Sequence, residues 1–143
     1  MGYETSFGGE LQISPPLSDE HLAFLTEFKD TRHEPGSKFP DGPDIWCGWD
    51  AIYPTTLAAE DGKNYSYVEW LIYLIDHYFV PWGYALDGTV YWDGEESDDR
   101  GLIDVRNNVI EVKEAHITYH TTGTYRPTAT PGTSRSAFPA PEN

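Results

Sequence analysis

The stretch from Ser66 to Gly83 constrains this chain more than any other segment. Val68, Leu71, Ile72, Ile75 and Phe79 recur at helical spacing, and Trp70, Leu74 and Tyr78 widen the apolar arc. A helix apolar over so much of its circumference has to be largely buried, so the fold must supply a second layer to cover it. Ser66 with Glu69 reads as a capping box at its start, Pro81 as its end, and Trp82-Gly83 as the turn that follows. The apolar run Trp70 to Val80, broken by Asp76 and His77, is too short to span a bilayer.

The covering layer is encoded in alternating segments. Phe7 to Ser14 sets Phe7, Leu11 and Ile13 on one face and Glu10 and Gln12 on the other, and Pro15-Pro16 stops it. Ser18 then caps a helix with Asp19 and Glu20 in its first turn, Leu17 and Leu22 placed as a staple, and Leu22, Phe24, Leu25 and Phe28 as its stripe. Thr31 to Pro43 is a Pro- and Gly-containing loop. Ile45 to Tyr53 alternates and can pair back onto Thr55 to Ala59 as a hairpin. After the second helix a meander is expected, with Leu86, Val90 and Trp92 facing inward. Leu102 to Arg106 then pairs with Val109 to Lys113 across Asn107-Asn108, and Ile117 and Tyr119 extend the last strand. The order βα-ββ-αβββ predicts an α+β domain: a mostly antiparallel sheet with two helices packed on one face, followed by an extended C-terminal tail.

Charge divides the chain the same way. The net charge is −15, and of the 24 acidic and 9 basic residues only Glu142, Arg126 and Arg135 lie after residue 120. Residues 1–120 therefore read as one acidic domain, and 121–143 as a nearly neutral Pro/Thr/Ser-rich tail with Tyr125 and Phe138 as its large apolar anchors. A surface this negative repels nucleic-acid phosphates and anionic membranes, and it favours a protein partner with a basic surface. Solubility alone is the simpler meaning of such charge. The opening Met1-Gly2-Tyr3-Glu4-Thr5 lacks the basic stretch and apolar core of a secretory signal, and the single cysteine, Cys47, excludes a disulfide framework.

Signatures of chemistry are missing where they would be expected. Asp93, Glu95, Glu96, Asp98 and Asp99 crowd one loop, but without the alternate spacing and closing Glu of an EF-hand. His116 and His120 share a strand face without a third ligand, His77 lies beside Asp76 in the apolar helix, and His33 adjoins Glu34 in a loop. Cys47 stands between Trp46 and Gly48 with no activating base nearby, and Gly8-Gly9 and Gly36 lack phosphate-loop spacing. Asp50 beside Trp49 and Asp93 beside Trp92 fit a sugar site only if those indoles are exposed, whereas the alternation places both in the core. No cofactor and no metal is expected.

Ile13-Ser-Pro-Pro-Leu17, Tyr91-Trp-Asp-Gly-Glu-Glu-Ser-Asp-Asp-Arg100 and Val105-Arg-Asn-Asn-Val109, with the Met-Gly-Tyr start and Trp70-Leu-Ile-Tyr-Leu-Ile-Asp-His77, resemble small acidic proteins of actinobacteria and their phages. The similarity spans most of residues 1–114 and stops before the tail. That family carries no assigned activity, so the resemblance implies a setting, phage or prophage accessory, rather than a site.

The expected function is accordingly non-enzymatic. An acidic surface meets a basic host protein, as an inhibitor or nucleic-acid mimic in the host cytoplasm. Asp93, Glu95, Glu96, Asp98 and Asp99 form its centre, and Asp41, Asp44, Glu60 and Asp61 contribute. The alternatives are a virion accessory protein that docks through its tail, and a sugar-binding module. Oligomeric state is not encoded in any motif.

Overall fold

A computed structural model of the chain describes residues 2–128. Six strands and two helices alternate: β1 Thr5–Ser14, α1 Asp19–Asp30, β2 Trp49–Tyr53, β3 Thr56–Ala59, α2 beginning at Tyr67–Leu74, β4 Ala85–Gly94, β5 Arg100–Arg106 and β6 Val109–Glu114. The strands form one antiparallel sheet in the order β2-β3-β1-β4-β5-β6. The first strand is thus an inner one, paired with β3 on one side and along its whole length with β4 on the other.

One face of the sheet is buried and the other is open. Leu11, Ile13, Trp49, Ala51, Leu57, Leu86, Val90, Trp92, Ile103 and Val105 join Leu25 and Phe28 of α1 and Trp70, Leu71, Leu74 and Ile75 of the second helix in a single core. The alternate residues Glu10, Gln12, Asp87, Tyr91, Glu111 and Lys113 are exposed on the far side. Both helices therefore lie on one face, and the α+β architecture is the one read from the sequence.

Local signals explain most boundaries. The Ser18 hydroxyl accepts from the His21 N–H at 3.1 Å and starts α1. Asn107 and Asn108 adopt φ of 46° and 69°, the conformation that a two-residue hairpin turn needs and that Asn tolerates. Four expectations change. Ser66 sits at φ 56° with no side-chain cap to the helix, because its hydroxyl donates to Asp44 at 3.0 Å; the capping box does not form. The second helix does not stop at Pro81. It continues through a π-helical turn, Ile75–Phe79, into a last turn, Val80–Trp82, and Gly83 at φ 90° ends it. Pro81 lacks the N–H that would continue the hydrogen-bond ladder, and the helix ends one residue later, at Trp82. Finally, β2 starts at Trp49 rather than Ile45, and residues 115–128 are irregular, with Ile117 and Tyr119 exposed rather than paired.

An aromatic layer joins the helices to the intervening loop. The Phe28 ring lies 5.7 Å from Trp70, 5.3 Å from Tyr78, 5.2 Å from Phe39 and 4.4 Å from His33. His33 is buried, with Nδ1 2.8 Å from the Phe39 carbonyl and Nε2 3.0 Å from the Phe28 carbonyl, so one imidazole ties the loop to the end of α1. Gly42, at φ 149°, lies against the Trp70 ring, where a Cβ would stand 2.3 Å from an indole carbon.

Replacing His33 by Ala removes both links and opens a void beside Phe28. Urea unfolding should show a loss of about 2–4 kcal/mol. A loss below ~0.5 kcal/mol would mean that the loop is held without it.

Candidate acidic site

The sheet gathers carboxylates that are far apart in sequence at one of its ends. Thr5 is bridged to Gly62 on one side and paired with Gly94 on the other. That brings Glu60 and Asp61, just past β3, and Glu4, before β1, alongside the loop between β4 and β5. Asp93, Glu95, Glu96 and Asp98 of that loop are exposed. Cations share this end as well: Lys29 is 2.6 Å from Glu60, Arg100 is 3.3 Å from Asp93, Lys113 lines a pocket with Arg100 and Asp93, and Lys63 lines a neighbouring cleft. Burial works against the Lys29 ammonium, but Glu60 outweighs it and holds the group above the usual lysine range.

The carboxylates predicted from the sequence do different jobs here. Asp99 is half-buried and fully engaged: the Tyr3 hydroxyl donates to Oδ2 at 2.6 Å and the Trp92 indole N–H donates to Oδ1 at 2.9 Å. The hydrogen bond to Asp99 in turn holds the Tyr3 phenol above its ordinary pKa. Glu95 accepts from the Glu4 N–H at 2.6 Å, and the Glu96 N–H donates to the Tyr3 hydroxyl at 3.1 Å. The loop is therefore pinned to the N-terminal segment from below, while among the described residues the Glu96 and Asp98 carboxylates accept no hydrogen bond. Gly101 makes this possible. It lies opposite Trp92, and a Cβ there would stand 2.4 Å from the indole. Asp61 accepts from the Phe7 N–H at 2.7 Å, leaving one oxygen free.

Asp44 is half-buried and binds the Ser66 hydroxyl and the Ile45 N–H at 2.7 Å, so it organises the start of the second helix. Asp41 is exposed in the loop over Trp70, where its charge, after burial, raises the Tyr73 phenol. Tyr125 is partly exposed within the irregular segment, and Phe138 lies outside the described residues.

Beside the acidic end is a cleft of about 330 Å³ lined by Lys29, Trp46, Cys47, Glu60, Asp61 and Asn64, among others. Trp46 exposes 52 % of its surface, and the buried Asn64 has an Oδ1 with no donor. The sequence did not single out Trp46, Glu4 or Tyr3. Cys47 is buried at the back, and burial pushes its thiol up to about 12, so it is protonated at neutral pH and no thiolate is available as a nucleophile. Trp49 and Trp92 are both buried, which removes the indole platform that a sugar site beside Asp50 or Asp93 would need. Among the described residues no group of three His, Cys, Asp or Glu side chains is placed to hold a metal ion, and no helix is long and apolar enough to cross a membrane.

Comparison with protein-family models, curated proteins and solved structures gives no match. The functional reading therefore rests on geometry and charge.

Two outcomes check this site. Asp99→Ala strips an acceptor from Tyr3 and Trp92 and should lower unfolding stability by about 1–3 kcal/mol, whereas Asp98→Ala should stay within ~0.5 kcal/mol. Equal effects would show that Asp99 is no more structural than its neighbour. Native Cys47 should react with iodoacetamide far more slowly than in urea; matched rates would contradict its burial.

Proposed function

We propose that this protein is a non-enzymatic interaction protein whose acidic sheet end docks on the basic surface of a protein partner. One observation carries the reading. Glu4, Glu60, Asp61, Asp93, Glu95, Glu96 and Asp98 converge on one end of the sheet, and of the cations there Lys29, Arg100 and Lys113 are already paired, with Glu60, Asp93 and Glu111. Convergent like charge repels itself and lowers stability, a cost that is offset when an opposite surface meets it.

The neighbouring cleft supports the same reading. An exposed indole beside carboxylates suits an inserted Arg or Lys, which can stack on Trp46 while its charge meets Glu60 or Asp61. The partner is a host protein that ordinarily binds nucleic acid, the protein acts in the host cytoplasm, and the setting is phage-associated. These three statements rest on the charge and on the resemblance to actinobacterial and phage proteins.

The test is capture from an actinobacterial lysate at low and high salt, followed by kinetics with the purified partner. A basic protein retained at low salt should associate about tenfold more slowly with the Glu96→Lys/Asp98→Lys chain, with the difference vanishing at high salt. Equal rates at low salt overturn the electrostatic reading. Salt-insensitive capture of virion proteins, abolished by deleting residues 121–143, would move the protein into the particle.

A further inference from the structure

We propose that β6 is a self-association surface: two copies of the chain pair antiparallel through their β6 edges, about a two-fold axis at Val112, and join two sheets into one.

The edge is free and regular. The Ala115 N–H donates to the Arg100 carbonyl at 2.8 Å, so by alternation the odd-numbered residues of β6 bond to β5. The N–H and C=O groups of Ile110, Val112 and Glu114 then face outward, and among the described residues no hydrogen bond reaches them. The opposite edge, β2, is broken by a register shift between Ala51 and Tyr53, a device that discourages pairing; β6 keeps an unbroken register with β5 from Val109 to Glu114.

The sequence of this edge is complementary to itself. Glu111 and Lys113 stand on the open face, 3.7 Å apart as an ion pair. Pairing about Val112 sets Glu111 against the second copy's Lys113, and Lys113 against its Glu111. Val112 meets Val112, and Ile110 meets Glu114. Shifting the axis by one residue in either direction sets Glu111 against Glu111 or Lys113 against Lys113, and like charges directly opposite are destabilising. Of these three registers only the one about Val112 avoids both.

Burial and long-range charge agree with this register. Val112 is 47 % exposed on the inner face of the sheet, above a groove of about 290 Å³ lined by Tyr67, Val68, Trp92 and Glu114. The second copy's Val112 covers that apolar surface. Glu114 marks the acidic end of β6, paired with Gly101 beside the β4–β5 loop. Antiparallel pairing therefore sends the two acidic ends to opposite ends of the joined sheet, which keeps two chains of charge −15 from facing each other there.

The experiment is sedimentation equilibrium of the full chain across a concentration series, with four sequences. The parent should show a monomer–dimer equilibrium. Lys113→Glu and Glu111→Lys should each weaken the dimer about tenfold, and the double swap Glu111→Lys/Lys113→Glu should restore it. Val112→Pro removes an outward N–H without removing a bond to β5, so it should leave a folded monomer by circular dichroism. A parent that stays monomeric at every concentration overturns the proposal. So does a dimer that is indifferent to the single charge variants, or one that the double swap fails to restore. If Val112→Pro does not fold, the charge series still decides.

Discussion

The packing of aromatic rings between the two helices is what the rest of the structure depends on. Phe28 from the first helix and Trp70 from the second are both buried to within 1 % of completely, and they meet edge to face. Such a contact combines large apolar area with a favourable ring geometry. Around it the loop from Thr31 to Pro43 closes, because His33 and Phe39 reach the same rings and Gly42 leaves room for the indole. The layer is not free of cost: the Trp70 indole N–H has no acceptor, so a polar group is buried unsatisfied to gain the fit. With both helices committed to one side, the sheet's other face is left to water.

That asymmetry sets the electrostatics. A one-sided sheet exposes its ends as well as its open face, and the acidic end is where the loops of four strands and the N-terminal segment come together. Ion pairs temper the charge there, and the exposed Arg100–Asp93 pair contributes little to stability. The fold is held by its apolar layer, so the surface is free to carry charge that folding does not require.

Legibility followed the range of the interactions. The Ser18 cap, the Asn107-Asn108 turn and the inward faces of β1 and β4 are decided by neighbours in sequence, and each is readable there. The Ser66–Glu69 box was not, because Asp44, 22 residues away, takes the Ser66 hydroxyl. Ile117 and Tyr119 alternate like a strand, yet β5 begins at Arg100, so beyond Ala115 there is no neighbour to pair with. The acidic loop was visible as a run of carboxylates, but Asp99 looks the same as Asp98 in sequence. Only Tyr3 and Trp92, brought in by the sheet, make it different. Glu60 and Asp61 were expected as contributors from their charge alone; the geometry that sets them beside the β4–β5 loop, with β1 lying inside the sheet, was not readable.

The pinning of the loop by Tyr3, Glu4 and Trp92 has a consequence for recognition. An acidic segment that is loose in the free protein has to surrender its conformational entropy when it meets a partner, and that loss is subtracted from affinity. Here the ordering took place during folding, across bonds that span 91 to 96 residues. The backbone that carries the carboxylates is thus fixed in place, and in the proposed docking a fixed frame would discriminate among basic surfaces by spacing as well as by sign.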